Sequence, residues 1–155
     1  MPLFNLIELR NSLPRDARLL GIDPGTRTIG LAMSDVMRSL ASPYGSLKRG
    51  KLKDNAAEIG KIARKEGVGG LVVGLPLSMD GSFGPAAQAA RDWALALSDV
   101  TGLPVALWDE RMSSAAVNRF LIQEADLSRG KRAEAVDRMA AAWMLQAAID
   151  ASREG

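Results

Sequence analysis

The chain has 155 residues, 47% hydrophobic and 25% charged, with a formal net charge of +2. This is the composition of one globular domain, long enough to bury roughly two thirds of its unfolded surface. It contains no Cys and no His, which excludes disulfides, thiolate nucleophiles, most zinc sites and imidazole acid–base chemistry. The apolar runs are too short to span a membrane, and the first residues lack a basic start followed by a long apolar stretch, so a cytoplasmic location with no membrane role is expected.

Residues 1–17 carry Leu3, Phe4, Leu6, Ile7 and Leu9 before a break at Pro14, which predicts a short helical or extended lead-in packed on the domain. Leu19, Leu20 and Ile22, then Ile29 to Met33, read as two strands joined through Pro24, Gly25, Thr26 and Arg27. Asp23 closes the first of them. A carboxylate at the end of an apolar strand needs a cation or hydrogen-bond donors to offset its desolvation, unless it only caps the turn. Leu40 to Leu47 predicts a third strand, and Pro43 within it suits a sheet edge. Asn55 and Glu58 have capping-box spacing; Ala56, Ile59, Ile62 and Ala63 recur at helical intervals, and Gly67 is placed to stop that helix.

Gly70 to Leu75 has no polar alternation, the pattern of a parallel strand covered on both faces. The segment PLSMDGSFGP after it predicts a long loop, with Pro85 as the first residue of a helix along Ala86, Ala90, Trp93, Ala94 and Leu97 that ends near Gly102. Val105 to Trp108 is another buried strand, ending in Asp109 and Glu110. Ser113 or Ser114 caps a predicted helix facing inward through Val117, Phe120 and Leu121. Glu124 to Arg132 is polar and predicted mobile. The last helix is predicted over about Ala133 to Ser152, with Val136, Ala140, Trp143 and Ala147 as its apolar stripe and Asp137 beside it.

An opening hairpin followed by alternating strands and helices predicts a single α/β domain with a mixed five-stranded sheet, antiparallel first and then parallel through right-handed crossovers. Ligands collect at the carboxyl ends of such strands, where Asp23, the loop after Leu75 and Glu110 fall, and a last helix packed across the sheet brings Asp137 to the same edge. Three gathered carboxylates repel one another unless a cation joins them. Oxygen ligands without His or Cys select Mg²⁺ or Mn²⁺, which activate water for displacement at phosphorus. Against this stands ordinary surface pairing, Glu110 with Arg111 and Asp137 with Arg138 or Arg132.

GIDPGTRTIGLA with Asp35 following, VVGLPLSMDGS, WDERMSS and AVDRMAAAWML are similar in order and spacing to the YqgF/RuvX family of RNase H-like proteins, over about residues 18 to 150. The resemblance implies an RNase H-like fold, with Asp23, Glu110 and Asp137 as catalytic, metal-binding acids, and Gly25, Thr26 and the loop after Leu75 lining the site. It also implies nuclease activity, on precursor 16S ribosomal RNA or on Holliday junctions. Gly25 is expected to let a phosphate backbone approach, with Thr26 and Arg27 donating to it. Glu134, three residues before Asp137, is an accessory-ligand candidate.

Two basic clusters, Lys48, Arg49 and Lys51 (with Lys53), and Arg129, Lys131 and Arg132, together with Arg111, are the expected nucleic-acid contacts. Aromatics are only 5%, so phosphate contact rather than base stacking is expected to dominate. A metal-dependent nuclease in 5′ processing of precursor 16S ribosomal RNA, working on ribosomal precursor particles, is favoured over a resolvase cutting a DNA junction. The favour rests on apolar surface: a junction calls for a dimer, and only Leu3 to Leu9 is left as an interface. A non-catalytic RNA-binding module is the third possibility. The opening Asp-x-Gly-Thr pattern also occurs in the sugar kinase, actin and heat-shock ATPase group, which needs a second such domain that 155 residues do not hold.

Overall fold

A computed structural model of the chain describes residues 3–25, 27–75, 84–109 and 129–153, with 3–4, 129–138 and 153 described by their backbone alone. Strands β1 (Leu3–Phe4), β2 (Arg18–Pro24), β3 (Thr28–Ser34), β4 (Ala41–Lys48), β5 (Val68–Leu75) and β6 (Val105–Asp109) form one sheet in the order β1-β6-β5-β2-β3-β4. The five longer strands are the expected mixed sheet; β1 adds a two-residue strip along β6. β2, β3 and β4 are successively antiparallel, while β5 runs parallel to both β2 and β6. Helices α1 (Leu6–Ser12), α2 (Leu52–Glu66), α3 (Pro85–Thr101) and α4 (Arg129–Arg153) complete the described chain. Among the described residues no helix is long and apolar enough to cross a membrane.

Alternation along the strands sends neighbouring side chains to opposite faces. Leu20, Ile22, Leu71 and Val73 meet Ala56 and Ile59 of α2 and Ala94 and Leu97 of α3. Leu19, Val72 and Ala106 meet Leu9 of α1 and Ala141, Met144, Leu145, Ala148 and Ile149 of α4. α4 lies close against β2, because a Cβ added to Gly21 would stand 2.8 Å from Leu145 Cβ. α2 and α3 end as predicted, with Gly67 and Gly102 in the left-handed region at φ 74° and 75°.

Several local expectations need correction. Asn55 does not cap α2: Lys51 is the N-cap, with no side-chain bond, and Asn55 is buried inside the first turns. There its Oδ1 accepts from Gly50 N (2.9 Å), and its Nδ2 donates to Lys48 O and Glu58 Oε1 (both 3.1 Å). The inward stripe of α3 begins at Ala87, not Ala86. The stripe of α4 is Ala141, Met144, Leu145 and Ala148, whereas Trp143 is 45% exposed. α4 also starts four residues early, so Arg129 to Arg132 are helical. The lead-in folds onto the sheet through buried Leu9 and packed Leu6, while Ile7 is 41% exposed. Among the described residues outside the lead-in, the most exposed large apolar side chains are Met37, Leu40, Val100 and Trp143. The predicted helix through Val117, Phe120 and Leu121, and residues 124–128, lie outside the described residues.

Candidate functional site

Asp23 is the penultimate residue of β2, partly buried, one step past the Ile22–Val73 pair with β5. Leu19, Gly21 and Asp23 alternate onto the face that α4 covers. Gly74, beside Asp23 in the sheet, pairs in turn with Trp108. Across three parallel strands this edge therefore reads Asp23, Gly74, Trp108, with a glycine between the acid and the indole. Trp108 Nε1 is buried without a hydrogen-bond partner among the described residues. Asp109 alternates with Trp108 onto the opposite face.

α4 runs against β2. Gln146 accepts from Ala41 N (2.8 Å) and donates to Ser39 O (3.1 Å) at the start of β4, while Met139 and Trp143 line a groove of about 240 Å³ with Ala41 and Pro43. β4 is parallel to β2, so moving toward the amino end of α4 moves toward the carboxyl edge of β2. Position 137 is eight residues, about 12 Å of helix, before Leu145; Asp23 is two residues, about 7 Å of strand, past Gly21. Position 137 also falls on the line of Ala141, Met144 and Ala148. The backbone at position 137 therefore lies toward the carboxyl edge of β2.

The turn after Asp23 is closed by Gly25, whose N–H donates to Thr28 O (3.0 Å) and Asp23 O (3.1 Å). A Cβ there would lie 2.5 Å from Thr28 O, so the turn itself requires glycine, a nearer reason than the approach of a phosphate. Arg27, Lys48 and Lys51 are exposed beside this turn. Arg49 is half-buried: Nη1 donates to Gly25 O (2.8 Å), its backbone N–H donates to Arg27 O (2.9 Å), and its guanidinium lies 5.4 Å from the centroid of the Trp93 ring. The brace through Arg49 was not legible in the sequence, since it depends on Gly25 and Trp93, both distant along the chain.

Thr26, Glu110, Arg111 and the loop over 76–83 lie outside the described residues. Arg129, Lys131 and Arg132 occupy the first turn of α4, and Glu134 follows in the same helix. Among the described residues no three metal-ligating side chains come together; of the three predicted acids only the Asp23 side chain is described. Asp35 stands at the other end of the sheet. Its carboxylate accepts from Ser39 N (2.7 Å), Leu40 N (3.1 Å) and Ser39 Oγ (2.8 Å), and the bond from Ser39 N–H leads in holding its pKa below the usual carboxylate value despite some desolvation.

Residues 17–151 match the RuvX family, described as Holliday junction resolvase. A protein of Gluconacetobacter diazotrophicus named "Putative pre-16S rRNA nuclease" is 68% identical over 99% of this chain and 100% of its own. A protein of the same name from Acidiphilium cryptum is 64% identical over 99% of this chain and 97% of its own. Among solved structures, T. thermophilus RuvC in complex with a Holliday junction substrate superposes with a TM-score of 0.55 at 18% identity, covering 89% of this chain and 96% of that one, a likeness of fold that agrees with the RNase H-like architecture. With the family pattern running through nearly its whole length and relatives 64–68% identical along it, the chain belongs to the RuvX family.

Proposed function

We propose that this chain is a metal-dependent nuclease that processes the 5′ end of precursor 16S ribosomal RNA. Asp23 carries the proposal: it closes a buried parallel strand at the carboxyl edge, on the face α4 covers, beside a turn flanked by exposed cations. The donor set fits a hard divalent ion, since Asp23, Glu110 and Asp137 offer only oxygen and the chain has no His or Cys to draw a softer one. Mg²⁺ or Mn²⁺ held there supplies an activated water and charge neutralisation at phosphorus.

The chain's own residues do the remaining work. Asp23, Glu110 and Asp137 would hold the ion, with Glu134 as an accessory. Arg27, Lys48 and Lys51 take phosphates on the β2–β3 side; Arg129, Lys131 and Arg132 do so at the start of α4, with Thr26 and Arg111 as further contacts. Such contacts fix the strand without reading its sequence, and affinity falls as salt rises. The names of the close relatives favour ribosomal RNA, whereas the family description favours a DNA junction.

A side-by-side assay at fixed salt decides between these, with precursor ribosomal RNA and a four-way DNA junction as substrates. RNA is cut with Mg²⁺ or Mn²⁺, not in excess chelator and not with Ca²⁺, and Asp23→Asn is inactive yet melts no lower than wild type in chelator. Cutting in excess chelator refutes the metal requirement, and near wild-type turnover by Asp23→Asn refutes the site. Paired symmetric incisions in the junction with uncut RNA establish the resolvase; RNA bound but never cut establishes a binding module.

A further inference from the structure

We propose that Arg49, which the sequence offers as one phosphate contact among several, is a positioning residue that braces the turn carrying Asp23; this rests on the nuclease function proposed above. Arg49 is tied down on three sides. Nη1 donates to Gly25 O at 2.8 Å, the backbone N–H donates to Arg27 O at 2.9 Å, and the guanidinium lies over Trp93 of α3. Both oxygens belong to the turn that begins one residue after Asp23.

The loop that presents Arg49 is itself fixed. Buried Asn55 accepts from Gly50 N and donates to Lys48 O, one bond on either side of Arg49. The path therefore runs from the interior of α2 through Asn55 to the 48–50 loop, through Arg49 to Gly25 and Arg27, and so to the end of β2. Lys48 and Lys51, the exposed cations of the same loop, are held in register with Asp23 by this path. A planar guanidinium serves here as no ammonium does, because it stacks on the indole while a directed N–H reaches the carbonyl.

The two roles separate by experiment. A phosphate contact is a matter of charge: Arg49→Ala weakens RNA binding and reduces the salt slope by about 1, and Arg49→Lys restores most of both. A brace is a matter of shape. Arg49→Lys then fails like Arg49→Ala, with kcat down about tenfold or more, since misplacement of about 1 Å costs up to 10²-fold. KM stays within about twofold and the salt slope is unchanged, as expected where only uniform binding is preserved. Amide hydrogen exchange in metal-free protein reads the brace without turnover: the Gly25 and Arg49 N–H groups exchange about tenfold faster in both variants while core strand amides do not change.

Rescue by Arg49→Lys of both affinity and kcat, or unchanged exchange at Gly25, overturns the proposal. If wild type cuts neither RNA nor junction, the nuclease function fails, and exchange at Gly25 alone decides whether the brace exists.

Discussion

Replacing Gly21 by Ala tests the docking of α4 on β2, on which the proposed approach of Asp137 to Asp23 depends. Gly→Ala at a tolerant site stabilises by about 0.4–1 kcal/mol, by reducing the freedom of the unfolded chain. Gly21 is not tolerant. The new Cβ would stand 2.8 Å from Leu145 Cβ and 3.3 Å from Leu145 Cγ and Cδ2, where carbons settle at about 3.5–4.0 Å. A Cβ cannot rotate out of the way, so α4 must move off the sheet by about 1 Å. Overpacking of this kind costs about 1–3 kcal/mol, which for a domain of this size lowers Tm by roughly 2–4 °C per kcal/mol. The same displacement at the amino end of α4 lowers kcat by up to about 10²-fold. Gly45→Ala in β4 is the control, because nothing lies within 4 Å of its added Cβ. Thermal melting by circular dichroism and RNA cleavage at saturating Mn²⁺ read the two effects. If Gly21→Ala melts at or above wild type and matches Gly45→Ala in turnover, the close contact between α4 and β2 does not exist in solution.

Two further predictions concern α4 and the far end of the sheet. Leu145→Ala, at a fully buried site, is expected to cost about 2–5 kcal/mol, and Trp143→Ala, at a residue 45% exposed, distinctly less; urea melts that reverse this order would restore the stripe expected from sequence. Asp35 has a pKa depressed from 3.8, so its stabilisation is fully present above that value and is lost as pH falls through the lower native one. The stability gap between wild type and Asp35→Asn should hold from pH 7 to 5 and shrink below about 3.8, and a gap unchanged down to strong acid would refute this.

Strand positions were legible because Leu19, Leu20, Ile22 and Leu71 to Val73 belong to apolar runs bounded by Gly and Pro, and Asp23 was legible because it stands where such a run meets a turn. The α4 stripe was not. Two of its members, Ala141 and Ala148, are alanines, which carry little apolar signal, and the bulk of Trp143 draws the eye to the wrong side of the helix. Asn55 matched a capping pattern that is local, yet its partners Gly50 and Lys48 turn it into a buried anchor instead. Arg49 looked like any surface cation. Its brace depends on Trp93, 44 residues further along, and on Gly25, 24 residues back, and no short pattern encodes contacts across that span.

The strand at the outer edge, β4, bears on how this chain behaves in a crowded solution. An open strand edge is a template on which another chain's backbone can zip. β4 carries Pro43, which has no N–H to offer. The register shifts between Leu31 and Ala32, which pair with Gly45 and Pro43, leaving Tyr44 as an extra residue, and Lys48 ends the strand with a charge. Each breaks the flat ladder that a fibril needs, so assembly through this edge is suppressed while the β3 pairing is kept. Substituting Pro43 by Val would supply a donor and a β-branched side chain together, converting a guarded margin into an adhesive one.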